Sequence, residues 1–123
     1  MPAMRIEVVF IPVSDDDRAI GFYRDQVGFV LDHDFTVSED LRFIQLTPVD
    51  SACSIVIGRG MTDKEPGSSN NVMLVVEDVR AVREELLGKG VTVTEVDVQP
   101  WGDFVQFSDP DGNTFTLQQL PKR

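Results

Sequence analysis

Apolar and polar positions along the chain follow an order that occurs twice. In the first half, the apolar and β-branched run over 5–13 has no helical period and predicts a strand. Ser14 or Asp15 then begins a predicted helix as its cap, and Gly28 is placed to end it. Three further strands are predicted over 29–35, 42–47 and 52–58. The first half is therefore predicted to be β-α-β-β-β.

The second half repeats this order. The VSD motif at Val13 returns as VED at Val76, an offset of 63 (76 − 13). The FIQL motif at Phe43 returns as FVQF at Phe104, an offset of 61 (104 − 43). The predicted helix begins at Asp78, and the predicted strands cover 71–76, 91–98, 103–108 and 114–119. A duplicated small unit usually pairs with its copy to bury a core, so we expect any site to lie between the copies.

The length of 123 residues is that of one domain. We expect unit one at about 4–58, a connector at about 59–70 and unit two at about 71–120. The connector is rich in glycine, serine and asparagine, which predicts flexibility. Its length would let the units pair within one chain or exchange between two chains.

The charge of the chain narrows the classes of partner. A net charge of −10 and a pI near 4.3 argue against nucleic acid and anionic membranes as partners. They fit a neutral or cationic ligand, or simply serve solubility. There is no apolar run of membrane-span length and no signal-peptide pattern at the start, so we expect a cytoplasmic protein. Cys53 is the single cysteine, which fits a reducing compartment, and its apolar neighbours predict a small buried hydrophobe.

Two acidic motifs have both structural and metal-binding interpretations. Asp15, Asp16 and Asp17 fall in the first turn of the predicted helix, where negative charge is favourable and where consecutive side chains point in different directions. Asp109-Pro110-Asp111-Gly112-Asn113, at 109–113, has turn residues but matches neither a calcium loop nor a phosphate loop. We interpret the first motif as a helix cap and the second as a hairpin.

Two stretches carry a family resemblance: VSDDDRAIGFYRDQVGF at 13–29 and FVQFSDPDGNTFTLQQL at 104–120. With the paired β-α-β-β-β order, they resemble the glyoxalase, bleomycin-resistance and extradiol-dioxygenase group, the vicinal oxygen chelate superfamily. The resemblance implies an α+β fold in which the curled mixed sheets of the two units form a shared cup, and it implies a homodimer. Members isomerise substrates, cleave rings or sequester drugs, so whether this chain is an enzyme is left open.

The resemblance also implies where a metal would be held. The family positions fall on Val8, Ile55, Asn71 and Thr116. Valine and isoleucine have no lone pair to donate, and a divalent transition ion prefers three or four imidazole, carboxylate or thiolate ligands. We therefore expect no metal and no cofactor. His33, the only histidine, lies away from these positions and is interpreted as a solvated strand or turn residue.

Strand alternation predicts the lining of the cup. If Val8 and Asn71 face it, then Val9 and Ile11 face the helices instead. Trp101 is expected near the mouth, although a core or dimer-interface tryptophan fits its sequence context equally well. The predicted ligand-binding residues are Phe10, Phe43, Gln45, Ile55, Asn71, Met73, Trp101, Phe104, Gln106, Thr116 and Gln118.

These residues form an apolar and aromatic set with a few neutral hydrogen-bonding groups, which suits a small organic ligand. The leading hypothesis is a metal-free member of the superfamily that binds a hydrophobic or cationic small molecule, with drug sequestration as one outcome. One alternative is a glyoxalase-type lyase or isomerase, or a dioxygenase, with an atypical metal site. Another is a dimeric interaction module that has no ligand.

Overall fold

The computed structural model describes residues 1–70 and 72–121. The first half contains β1 (Val8–Phe10), α1 (Asp16–Ile20, continuing as a π-helical segment over Gly21–Gln26), β2 (Val30–Ser38), β3 (Leu41–Thr47) and β4 (Ser54–Ile57). The second contains β5 (Val72–Val75), α2 (Val79–Gly88), β6 (Asp97–Gln99), β7 (Gly102–Ser108) and β8 (Thr114–Gln119). Neither of these helices is long and apolar enough to cross a membrane.

Each half forms its own four-stranded sheet. The first sheet has the order β1-β4-β3-β2, and the second has the order β5-β8-β7-β6. In both, the first strand of the half pairs in parallel with its last strand, while the remaining pairs are antiparallel. The sheets do not close into barrels. This arrangement confirms the predicted α+β fold of two βαβββ units.

Both helices begin at the predicted caps. The Asp15 carboxylate accepts a hydrogen bond from the Arg18 backbone N–H at 3.1 Å, and the Asp78 carboxylate accepts from the N–H groups of Arg80 and Ala81. These bonds satisfy donors that a helix start leaves free. The capping interpretation of Asp15 is therefore confirmed.

The other two acidic residues of that motif bind the first sheet. Asp17 accepts from Arg42 at 2.9 Å, and Asp16 accepts from Arg59 at 2.8 Å. Arg42 also donates to both carboxylate oxygens of Asp34, and these hydrogen bonds lower the pKa of that carboxyl. The acidic turn thus connects α1 to the end of the first sheet where β3 begins and β4 ends.

The predicted strand over 91–98 is wrong in extent. The structure has a strand only at Asp97–Gln99, preceded by a single bridge between Val93 and Phe107. The Thr94 hydroxyl accepts from the Gln106 backbone N–H at 2.9 Å, which replaces part of a regular ladder. Val91 is buried, so the apolar pattern in this segment reflects packing on the core rather than continuous pairing.

One core joins the two halves. Tyr23 on α1 is fully buried and its ring packs against Phe22, Phe29 and Phe115, with centroid distances of 5.1, 5.9 and 5.7 Å. Phe115 belongs to β8, so the helix of the first half packs on the sheet of the second. The core-facing residues of the two sheets are Ile44, Leu46, Ile55, Ile57, Val105, Phe107, Phe115 and Leu117.

The turn at 109–113 fastens the halves to each other. It is a hairpin turn as predicted, and Gly112 has a positive φ of 96°. Asp109 and Asn113 are buried. The Tyr23 hydroxyl donates to Asp109 Oδ2 at 2.6 Å, and Asn113 Nδ2 donates to the Pro12 carbonyl at 2.7 Å. We call these two bonds the inter-unit latch.

The latch predicts a pH dependence of stability. Burial, followed by the charge and hydrogen bond of Asp109, raises the pKa of Tyr23 far above its ordinary value. Because the folded pKa lies above the unfolded one, this stabilisation is complete below about pH 10 and is lost as the pH rises further. We expect the free energy of unfolding to fall by about 1.4 kcal/mol per pH unit above about pH 10.

Urea unfolding across this range measures the slope, and Tyr23→Phe is the control because Tyr23 is the only tyrosine. The variant should lack the tyrosine component of this slope. An identical slope in both proteins would contradict the assignment.

Candidate functional site

Each sheet has one face on the core and one open face. Residues that pair across neighbouring strands lie on the same face. On the first sheet, one row of the open face contains His33, Gln45, Val56 and Phe10. On the second sheet, the matching row contains Gln106, Thr116 and Met73. Gln45 and Gln106 therefore occupy equivalent central positions in the two copies.

Exposure agrees with the predicted faces of β1 and β5. Phe10 is 50% exposed and Met73 is 54% exposed, whereas Ile11 is 1% exposed. Val72 and Leu74 pack against the core, as alternation predicts. On β3 and β7, likewise, the residues that alternate with the predicted site positions are buried: Ile44, Leu46, Val105 and Phe107.

The predicted orientation of Ile55 is wrong. It pairs with Val9 on one side and Leu46 on the other, and it is 3% exposed within the core. The cause is the connection between the third and fourth strands, which is one residue longer in the first copy. Gln45 pairs with a residue 11 positions later (56 − 45), whereas Gln106 pairs with one 10 positions later (116 − 106).

The offset between the copies therefore falls from 61 to 60 along this connection. Val56, rather than Ile55, is the counterpart of Thr116 and lies on the same face as Gln45 and Phe10, although its side chain is only 1% exposed. A shift of one residue along a strand turns every side chain to the opposite face.

A cavity of about 590 Å³ lies on the open face of the second sheet. It is lined by Thr94, Asp97, Gln99, Trp101, Phe104, Val105, Gln106 and Thr116. Four of these, Trp101, Phe104, Gln106 and Thr116, were predicted from the sequence, whereas Thr94, Asp97 and Gln99 were missed. We call this cavity the second-sheet pocket.

The turn between β6 and β7 positions the aromatic wall of the pocket. Trp101 is 62% exposed in this turn, and its carbonyl accepts from Gln118 Nε2 at 3.2 Å. Gly102 has a φ of 150°, and a Cβ atom there would lie 2.8 Å from the Gln119 carbonyl oxygen. Only glycine fits this close approach, and the turn places Trp101 in the lining of the same pocket as Phe104.

The electrostatics of the pocket favour a cation. Asp97 pairs with Phe104 across the strands and shares its face. Among the lining residues in the described part of the chain, Asp97 alone is charged. Its Oδ1 accepts from Gln99 Nε2 at 3.0 Å, which orients the carboxylate. An aromatic wall beside a carboxylate suits a ligand that carries a positive group on an apolar body.

The remaining predicted site residues lie elsewhere. Phe10 lines a cavity of about 580 Å³ beneath the connector, and Met73 lines one of about 420 Å³ that also includes the half-buried Cys53. Phe43 and Gln45 lie on the open face of the first sheet. Gln118 lies next to Trp101, and Asn71 lies outside the described residues. The structure thus does not gather the ten described residues of this set into one cavity.

His33 is an exposed residue of β2, which agrees with its interpretation as a solvated strand residue. On the open face of the first sheet, its ring stacks on that of Phe35, with 5.9 Å between the ring centroids. The centroid of the Phe43 ring lies 6.4 Å from that of His33. The strand register shifts between Leu31 and His33, so Asp32 and His33 are both turned away from the core. Regular alternation from Leu31 would have placed His33 on the core side, and this bulge has no clear signal in the sequence.

The family's metal positions do not fit a transition ion in this chain. Val8 and Val56 offer no lone pair, and the Thr116 hydroxyl is a weak neutral donor. Within 1–70 and 72–121, no three His, Cys, Asp or Glu side chains are grouped to hold a metal ion. We therefore derive no chemistry through a metal here.

Comparisons with known proteins agree on one family. The model of the Glyoxalase/Bleomycin resistance protein/Dioxygenase superfamily matches residues 5–117. The crystal structure of TnmS3, an antibiotic binding protein from Streptomyces sp. CB03234, is 34% identical, covers 98% of this chain and 99% of its own, and has a TM-score of 0.90.

Two further relatives extend the similarity. A glyoxalase/bleomycin resistance protein from the same Streptomyces strain is 35% identical over 94% of this chain and 100% of its own, with a TM-score of 0.83. The YetH protein of Bacillus subtilis (strain 168) is 27% identical over 117 residues, which is 94% of this chain and 98% of that protein.

Proposed function

Because the chain belongs to the Glyoxalase/Bleomycin resistance protein/Dioxygenase superfamily, we propose that it is a metal-free binding protein for a small hydrophobic or cationic organic molecule. The observation that carries the proposal is the second-sheet pocket. It combines Trp101 and Phe104 with neutral hydrogen-bonding groups and a single carboxylate. Such a lining can hold and orient a ligand but offers no obvious group to react with it.

Two further considerations support a binding role. TnmS3 is described as an antibiotic binding protein, and this chain aligns with it over nearly the full length of both. The side chains at the family's metal positions, Val8, Val56 and Thr116, are poor metal ligands, which disfavours reactions that need a Lewis acid. Sequestration of a drug-like molecule is therefore the activity we propose, in a reducing cytoplasm that suits the lone Cys53.

We further propose that the protein acts as a homodimer. Large apolar side chains are exposed on or near both open faces: Phe10 at 50%, Phe35 at 59%, Met73 at 54%, Val75 at 64% and Trp101 at 62%. A monomer seldom leaves such groups uncovered over a wide area. A second copy and a ligand would together cover them, and light scattering on the purified chain measures the assembly directly.

Trp101 is the only tryptophan, so its emission reports on the pocket. We expect titration with a panel that contains a cationic glycopeptide antibiotic and planar aromatic antibiotics to change this emission for at least one compound. Phe104→Ala should weaken that binding by about fivefold or more, because a lost aromatic contact is worth about 1 kcal/mol or more. Dialysed protein should bind without added metal.

Val98→Ala is the matched control. Val98 lies on the same strand as Asp97 but alternates to the other face, and it is 64% exposed. An equal loss of affinity in both variants would place the ligand elsewhere. Failure of every compound to bind, or binding only with added transition metal, would refute the proposed function.

A further inference from the structure

We propose that the open face of the first sheet selects ligands by hydrogen-bond polarity: Gln45 offers an amide oxygen there, and the ligand is a flat aromatic molecule that carries an O–H or N–H donor. This inference deepens the proposed function and rests on it. It uses residues outside the second-sheet pocket. The evidence is a directed chain of hydrogen bonds and the aromatic rings next to it.

Four polar side chains on the first sheet form this chain of hydrogen bonds. The Thr47 hydroxyl donates to Asp32 Oδ2. The hydroxyl oxygens of Thr47 and Ser54 lie 2.6 Å apart, so one donates to the other. Gln45 Nε2 lies 3.2 Å from Ser54 Oγ. Ser54 is only 5% exposed, so water competes little for its hydrogen bonds.

Asp32 fixes the direction of the whole chain. A carboxylate only accepts hydrogen bonds, so the single hydroxyl proton of Thr47 is used on Asp32. Thr47 must then accept from Ser54, whose own proton is consumed in that bond. Ser54 can therefore only accept from its remaining neighbour. That neighbour is Gln45, which has to turn its NH₂ group toward the serine.

The oxygen and nitrogen of a side-chain amide have similar shapes, so shape alone does not orient Gln45. The hydrogen-bond constraint does orient it. With Nε2 fixed on Ser54, Oε1 points to the other side of the planar amide. Among the hydrogen bonds within 1–70 and 72–121, none uses Gln45 Oε1. A ligand edge that faces Oε1 meets an acceptor, so it gains a bond to that oxygen only if it presents a donor.

The surroundings of Gln45 define the body of the ligand. His33 is its partner on β2, and Phe43 precedes it by two residues on the same face of β3. The His33 ring stacks on Phe35 with an interplanar angle of 18°, which forms a continuous aromatic surface. Phe35 is 59% exposed, so this surface is accessible. Flat rings pack well on such a surface, with the donor at their edge.

A pair of probes that differ at the donor tests the inference. 2-Naphthol and 2-methoxynaphthalene share one ring system, and methylation removes the O–H. We expect the wild-type protein to bind 2-naphthol about tenfold more tightly, because a polar site rejects an analogue that leaves its acceptor unpaired. Calorimetry gives the affinities, and intermolecular NMR contacts from the probe to His33 and Phe43 locate it.

Variants of Thr47 test the directed chain. Thr47→Val removes the hydroxyl, which frees Ser54 and lets the Gln45 amide flip, so the preference should fall to within about twofold. Thr47→Ser keeps the hydroxyl and should retain the preference. A valine variant that still discriminates about tenfold would overturn the role of the chain.

The remaining outcomes separate this inference from the proposed function. Equal wild-type affinities for the two probes, or contacts with Trp101 in place of His33, would overturn the inference while the protein remains a small-molecule binder. Absence of binding for both probes would also overturn it. In that case the antibiotic titration with Phe104→Ala still decides the proposed function independently.

Discussion

Replacing Ile55 with glutamate is expected to unfold the protein at neutral pH. The side chain is 3% exposed and packs in the core between Val9 and Leu46. An unpaired carboxylate buried among apolar side chains costs several kcal/mol even after its pKa adjusts. A domain of this size is stable by only about 5–15 kcal/mol in total. Circular dichroism and the dispersion of the NMR spectrum would show the loss of structure.

Phe10→Glu is the matched control, because Phe10 lies on the adjacent strand β1 but faces the open side. It is 50% exposed, so a carboxylate there stays hydrated. We expect a change of less than about 1 kcal/mol in the free energy of unfolding. An Ile55→Glu protein that folds with near wild-type stability would mean that Ile55 faces outward and that the register of β4 is wrong.

The sequence predicted the orientation of Phe10 correctly and that of Ile55 wrongly, and the difference between the two strands explains why. Strands with one buried face have an alternating pattern, and this pattern correctly oriented β1, β3, β5 and β7. The helix starts at Asp15 and Asp78 were also predicted, because a capping carboxylate acts within a few residues of its own position. Both signals are local in the chain.

Failures arose where a connection changed the count of residues. All four residues of β4 are buried, so alternation could not orient this strand. Its orientation was inferred from the repeat offset, and the longer connection after Gln45 shifted that offset by one. A bulge near His33 has the same kind of effect, because it turns His33 to the open face, whereas regular alternation from Leu31 would place it on the core side.

The second-sheet pocket was predicted only in part, because some of its lining comes from regular strands and some from a short edge strand. Phe104, Gln106 and Thr116 follow from alternation on regular strands. Asp97 and Gln99 are absent from the predicted lining because the apolar pattern of 91–98 predicts one regular strand that ends before the turn. A signal was present: Pro100 to Gly102 forms a tight turn, and pairing back across it from Phe104 reaches Asp97. Short edge strands are better aligned from the turn than from hydropathy.

The inter-unit latch lies beyond this kind of reasoning. Tyr23 and Asp109 are separated by 86 positions in the chain and occupy different units. Each has a sufficient local explanation, the tyrosine as a helix core residue and the aspartate as the first residue of a turn. Nothing in the local pattern shows that the turn is buried, since turns usually lie at the surface.

Asp109→Ala is expected to cost about 3 kcal/mol or more in the free energy of unfolding. Its carboxylate is buried and accepts from the Tyr23 hydroxyl, from Asn113 Nδ2, and from the backbone N–H groups of Asp111 and Asn113 at 2.6 to 2.9 Å. Alanine removes the acceptor but leaves these donors in place. A buried donor without a partner costs about 1–3 kcal/mol. Urea unfolding at neutral pH measures the loss.

Two neighbouring substitutions separate the latch from an ordinary turn. Tyr23→Phe removes one donor and leaves Asp109 with three partners, so a loss of about 1 kcal/mol is expected. Asp111→Ala removes bonds to Ser14 at the surface, where water replaces them, and should cost less than about 1 kcal/mol. Equal losses for Asp109→Ala and Asp111→Ala would show that the turn acts only as a surface hairpin. A graded series, with Asp109→Ala the largest, follows only if burial makes the unpaired donors costly.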